Sequence, residues 1–251
     1  MSIPAKVTAV LSPRARVLRP YIAALASEQP ELAHLTLRGD GSLGYADERE
    51  DDRDNEDGLW TRVPEHSDAV GQVENWRPHP RRQRHLMSEL LCQICAGPPA
   101  RSADGWLFVL PGGPESPSDG DTQWGEGLIE ATPPVCRRDA RLSVKRCPSL
   151  GQAVALWVKR PILYGIYGTT YRLGPRGIER QGAGIAKYET PALGWTVATQ
   201  MVRELTGTRI DRDLTVRLRA LHARRRLPTE PRCPHRPPSS TSPDMLNRNH
   251  G

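Results

Sequence analysis

Phenylalanine occurs once in 251 residues, and aromatic residues make up only 5% of the chain. A core must therefore rest on aliphatic side chains and on the six tryptophans. With 37% hydrophobic residues the chain can build one large domain or two small ones. Long apolar runs are also missing. None reaches the roughly 18 residues of a membrane-spanning helix, and the stretch Val7 to Leu11 is too short for the core of a secretory leader. A cytoplasmic protein with no membrane partner is the expectation. Histidine is absent between His85 and His222, which removes the commonest general base from the middle of the chain. No Walker lysine loop, nucleophile elbow or His-Glu-x-x-His occurs, and Gly182-Ala183-Gly184 does not have the setting of a dinucleotide loop. Cysteines number five, an odd count without a leader, which argues against a disulfide framework.

Four of those cysteines fall between Leu91 and Pro148, and their spacing carries the chemistry. Cys92 and Cys95 form a C-x-x-C followed by Gly97-Pro98-Pro99. That tripeptide cannot continue a helix, so the pair belongs on a tight turn. A thioredoxin-type redox pair would instead carry its second cysteine into a helix. Cys136 follows a Thr-Pro-Pro step, with Asp139 three residues later. Paired ligands on short turns are the cheapest way to assemble a tetrahedral zinc site. Trp106 to Leu110 reads as a strand and Leu128 to Glu130 as its return strand. A helix follows from Thr132 or Pro133, through Val135 to Arg146, and stops at Pro148. Knuckle, hairpin and ligand-bearing helix give the order of a treble-clef finger.

The fourth ligand is either Asp139 or Cys147. On a helix, Asp139 shares a face with Cys136 at a rise of about 4.5 Å, whereas Cys147 lies about 16 Å along the axis. Two sulfurs on one zinc lie within roughly 4 Å of each other. Cys92, Cys95, Cys136 and Asp139 are therefore the favoured set, with a shorter helix bringing in Cys147 as the alternative. Cys233, beside His235, has no second pair to close a site.

The segments Leu91 to Pro98, Pro133 to Cys136 and Arg146-Cys147-Pro148, with Gly44 to Arg49 and Gly58 to Val63 upstream, resemble a group of uncharacterised, phage-like actinobacterial proteins. The resemblance covers roughly residues 15 to 210. Their second ligand pair is usually C-x-x-C, so Asp139 stands where a cysteine is expected. The resemblance implies a zinc site and a mobile-element origin, and it brings no activity with it.

The rest of the chain reads as scaffold and charge. Residues 1–19 are expected to form a loose arm, 20–210 a globular domain containing the finger at 86–150, 211–226 a basic helix, and 227–251 a disordered tail. Tyr21 to Ala26 is a short element of undecided type. The acidic stretch Asp40 to Asp57 lacks the spacing and central glycine of a calcium loop, and reads as a solvated connection between strands near Leu43–Tyr45 and Leu59–Val63. Trp60 and Trp76 read as packing residues. Arg77, Arg81, Arg82 and Arg84 form a basic patch at the exposed start of a helix over Arg81 to Leu91, the candidate contact for nucleic acid. Ala153–Val158 and Ile162–Arg172 read as strands separated by Pro161, with Gly165 and Gly168 marking a bulge or twist. Gly184 to Tyr188 is a further strand. Thr190-Pro191 is expected to open a helix on which Val197, Met201 and Leu205 recur every four residues, with Gly207 at its end. Leu214 to Arg226 is helical in pattern.

The expected fold is thus α+β: a β-rich single domain with an embedded treble-clef-like zinc finger and a disordered C-terminal tail. The net charge of +6 and a pI near 9.3 suit an acidic partner. The expected function is a non-enzymatic, zinc-stabilised nucleic-acid-binding or adaptor protein. A protein-binding module and an enzyme with a dispersed active site are the alternatives. A ββα-metal nuclease would need a histidine beside the zinc ligands, and none is there.

Overall fold

The computed structural model describes residues 19–66, 71–113 and 124–224. The expected tail with Cys233 and His235, the expected arm before Arg19, and Arg225 and Arg226 lie outside the described residues.

In order, the elements are β1 (Ala23–Leu25), β2 (Leu35–Leu37), β3 (Leu43–Tyr45), β4 (Leu59–Trp60), β5 (Val73–Pro78), α1 (Pro80–Ser88), β6 (Arg101–Ser102), β7 (Gly105–Leu110), β8 (Leu128–Glu130), α2 (Arg137–Arg146), β9 (Val154–Gly174), β10 (Gly177–Lys187), β11 (Thr196–Ile210) and α3 (Arg212–Ala223). The fold is β-rich with few helices, and its main sheet is curled. Two long antiparallel strands, β9 and β11, form its spine. Along its other edge, β9 pairs first with β7 and then with β10. Along its own other edge, β11 pairs with β4 and then with β8. β1 with β5 and β2 with β3 make two small separate ladders.

Alternation along β7 and the first part of β9 supplies two cores. Leu107, Val109, Ala155 and Trp157 face α2 and α3, where Val144, Leu214 and Leu218 complete one cluster. Phe108, Leu110, Val154, Leu156 and Val158 face the other way and pack with Leu205 and Ile210. Buried on both faces, this part of the sheet reads as the near-continuous apolar run it is in sequence. Asp211 caps α3 by accepting from the Leu214 amide at 2.9 Å, and its second oxygen takes the Trp157 indole N–H at 3.0 Å. The cap and the largest core side chain are thereby tied together. His222 Nδ1 donates to the Val144 carbonyl at 2.8 Å and joins α3 to α2.

The helix expected to open at Thr190-Pro191 and end at Gly207 does not form: Leu193–Trp195 is a single 3-10 turn and the chain from Thr196 onward is strand β11. Thr199 is an extra residue on β11, between Ala198 and Gln200 in the pairing, and the register shifts again at Val202/Arg203, where Tyr164 of β9 is the extra residue. These two bulges break the two-residue alternation, so buried residues recur at 196–198, 201–202 and 205. The result is a helix-like period on an extended chain. Gly207, expected to end that helix, lies within the strand at φ +65. Pro161 does not divide β9, which runs unbroken for 21 residues.

Two glycines of β9 sit where neighbouring strands come close. A Cβ on Gly165 would lie 2.1 Å from the Ala186 carbonyl oxygen, and one on Gly168 would lie 2.0 Å from that of Val197. Neighbouring backbones approach there more closely than a side chain allows.

Between β4 and β8 the outer edge of β11 has no strand beside it. Gln83 of α1 fills the gap: its amide nitrogen donates to Ala131 O at 2.8 Å and Met201 O at 2.9 Å, and its oxygen accepts from the Met201 amide at 2.8 Å. A buried side chain thus completes the ladder and fixes α1 on the sheet.

Candidate metal centre

The C-x-x-C turn forms as its sequence dictates. Cys92 N–H donates to Gly97 O and Ala96 N–H to Cys92 O, both at 2.8 Å. Ala96 takes φ 54 to close the loop. Backbone bonds then fasten this turn to the chain entering α2. Gln93 N–H donates to Pro134 O at 3.0 Å, Ala100 N–H to Val135 O at 3.1 Å, and Val135 N–H to Leu107 O at 2.9 Å. The Pro133-Pro134 step is held alongside the turn, and Cys136 emerges next to Cys92.

Helix α2 begins one residue after Cys136, later than Thr132 or Pro133, so Cys136 is the N-cap and Asp139 lies in the first turn. Cys92, Cys95, Cys136 and Asp139 each offer one ligand atom, and these atoms all lie within 4.8 Å of one another. They are close enough to hold a metal ion, and no disulfide joins the cysteines. Cys147 caps the opposite end of the ten-residue helix, about 16 Å away along the axis. It is not part of the cluster.

The surroundings suit anionic ligands. Cys92 Sγ accepts from the Cys136 amide at 3.4 Å, and the amides of Ile94 and Cys95 also point at it. Such N–H groups stabilise a thiolate. Burial nevertheless pushes the Cys92 thiol up to about 12, and burial also raises Cys136. A bound cation reverses that balance by taking the proton's place. Burial opposes ionisation of Asp139 as well, yet hydrogen bonds from Cys95, Arg138 and Cys136 hold its carboxyl below the usual range. Arg138 Nε donates to Asp139 Oδ1 at 3.0 Å and leaves Oδ2 beside Cys92 Sγ at 3.5 Å. The positive end of α2 adds to this stabilisation. Cys92 and Asp139 are fully buried while Cys95 is exposed, so the cluster opens to solvent on the Cys95 side.

Two sequence expectations around this centre change. β8 does not return on β7. It pairs with β11 through Glu130 to Arg203 and its neighbours, and the hairpin after the C-x-x-C is β6 with β7. The acidic stretch is an organised loop in which Asp52 is buried and paired with Arg62 at 2.6 Å. Asp54 accepts from the Gly58 amide, the Trp60 indole and the Tyr188 hydroxyl. Trp60 is buried as expected, and Trp76 is 45% exposed.

The four arginines ahead of α1 and within it are each engaged inside the protein. Arg82 is buried and paired with Glu28, also donating to Ala23 O. Arg77 bonds Glu74 and the carbonyls of Leu25 and Glu28. Arg81 pairs with Asp51. Arg84 lies 5.0 Å over the Trp60 ring and donates to the carbonyls of Arg53 and Asp51. The sequence showed the cations but not their partners, of which Glu28 is 54 residues from Arg82. Sequence reading also missed Arg138, and the Arg-Arg-Asp triplet at the start of α2 was the signal for it.

Among the described residues no helix is long and apolar enough to cross a membrane. Comparison of the chain with protein families, with curated proteins and with solved structures gave no match.

Proposed function

We propose that the chain is a zinc-stabilised, non-enzymatic protein that binds nucleic acid, and that residues 86–150 are its treble-clef-like finger. The observation that carries this is the convergence of Cys92, Cys95, Cys136 and Asp139, two from a turn and two from the start of a helix. Four donors suit the closed tetrahedral set of a structural zinc, whereas catalytic zinc keeps one position open. Soft sulfur ligands select zinc over magnesium or calcium. When bound, zinc would supply folding energy of roughly 10 kcal/mol by clamping the turn to α2. The order of turn, β6–β7 hairpin and α2 supports the treble-clef reading, and the +6 charge supports a polyanionic partner.

A second reading, an enzyme, has one observation behind it. A cleft of about 480 Å³ between the acidic loop and α1 is lined by Asp51, Asp54, Glu56, Arg81, Arg84 and His85. Arg81 is paired with Asp51, and Asp54 accepts from the Tyr188 hydroxyl, which favours a structural role.

Elemental analysis of the purified protein tests the site. One zinc per chain is expected, lost in Cys92→Ser and retained in Cys147→Ser. Loss in Cys147→Ser overturns the ligand set. A gel-shift assay on the same sample tests the function, with binding that weakens steeply as salt is added as the expected result.

A further inference from the structure

Of the α1 arginines, Arg82 is buried against Glu28, Arg81 pairs with Asp51 at the surface, and Arg84 is held by the Trp60 ring and backbone carbonyls, so cations without such partners are the better candidates for a nucleic-acid surface. Helix α2 has the sequence Arg-Arg-Asp-Ala-Arg-Leu-Ser-Val-Lys-Arg. At about 100° per residue, Arg137, Arg141, Lys145 and Arg138 fall within an arc of about 100°. Asp139, Ala140 and Val144, which occupy the remaining side of the helix from about 200° to 340° counted from Arg137, are buried. All four cations are exposed, as is Arg146 at the helix end. Among the described residues only Arg138 of these is paired with a carboxylate, that of Asp139. Arg137 stands 5.3 Å over the Trp157 ring, an interaction that leaves its charge available to a second partner.

Arg137, Arg141 and Lys145 are therefore exposed cations with no carboxylate partner among the described residues, on the helix whose start carries Cys136 and Asp139. From Arg137 to Lys145 the stripe runs about 12 Å along the helix axis. Duplex DNA presents one negative charge per roughly 1.7 Å of its axis, so about seven phosphates lie within that length. A helix also fits the major groove, about 12 Å wide. The stripe contains no Asn or Gln, the side chains that read adenine edges. Contacts to phosphates position a protein without reading sequence.

We propose that the outer face of α2 is the surface that meets the phosphate backbone of duplex DNA, with little regard to base sequence. This rests on the nucleic-acid reading above and assigns it a place. Metal binding and DNA binding are coupled through the helix: the metal holds its start, and the exposed arc meets the phosphates.

The test compares the full chain with two double variants of equal charge. Arg141→Gln/Lys145→Gln removes two cations from the stripe and spares Arg138 beside Asp139. Arg176→Gln/Arg180→Gln removes two exposed cations from the β9–β10 hairpin. Binding to a labelled duplex of about 20 base pairs is measured by anisotropy between about 50 and 200 mM salt. Each phosphate contact contributes about 0.9 to the slope of log K against log salt, so the α2 variant should lose about 1.8 from the slope and roughly 60-fold in affinity at 0.1 M. The hairpin variant should keep the wild-type slope, and both variants should retain one zinc. Equal slopes in the two variants overturn the α2 assignment while the nucleic-acid reading stands. No binding by the wild type at low salt overturns both. Tighter binding to single-stranded DNA than to the duplex, or strong dependence on duplex sequence, overturns the backbone-docking geometry.

Discussion

Replacing Glu28 with glutamine removes one partner of a fully buried ion pair and leaves the other in place. Glu28 accepts from both terminal nitrogens of Arg82, at 3.0 and 2.5 Å, and from the Leu25 amide at 2.7 Å. Burial alone would raise its pKa, yet the hydrogen bonds from Arg82, Leu25 and His66 lower it from 4.5 to about 2. At about 1.4 kcal/mol per pH unit this is worth about 3 kcal/mol of folding free energy at neutral pH. The cost of leaving a buried charge without its partner, about 3–5 kcal/mol, is of the same size. Because the folded pKa is depressed, the contribution is complete above about pH 4.5 and is lost as pH falls through about 2. Glu28→Gln cannot titrate and mimics the protonated carboxyl. Urea unfolding of both proteins at pH 7 and pH 3 should show a gap of about 3 kcal/mol that shrinks to roughly half or less at the lower pH. A gap below about 1 kcal/mol at pH 7, the range of an exposed pair, or one that does not change with pH, refutes the argument.

Other consequences can be measured directly. Arg138→Gln keeps all four ligands but removes the donor that orients Asp139. Metal affinity, read by competition with a chromophoric chelator, should fall about 10- to 100-fold. Gly168→Ala places a methyl group against the Val197 carbonyl; a cost of about 1–3 kcal/mol should appear as a fall of several degrees in the melting temperature. Chelation by excess EDTA should remove the zinc, lower the melting temperature and, with α2 released, abolish DNA binding.

The cluster of Cys92, Cys95, Cys136 and Asp139 was legible because its geometry is local. Cys92 and Cys95 sit on a turn that Gly97-Pro98-Pro99 enforces, and Asp139 follows Cys136 by less than one helical turn. The pairings between distant segments were not legible. Nothing in Leu128-Ile129-Glu130 distinguishes pairing with the nearby β7 from pairing with β11, more than 70 residues on. Val197, Met201 and Leu205 carried a periodicity that bulges had imposed on a strand. The partners of Arg82 and Arg81, Glu28 and Asp51, reach them only through the fold, and the α2 stripe stands out only once Asp139, Ala140 and Val144 are buried beneath it.

Gln83 joins a helix to a strand residue 118 positions away in the chain. The Met201 amide is thereby shielded from solvent by a side chain, although its own strand is paired with β9 on the other edge. When α1 lifts, that amide becomes free to exchange its hydrogen while the β9–β11 ladder stays closed. Its protection therefore reports the seating of the helix, and it distinguishes a partial opening from the loss of the whole sheet.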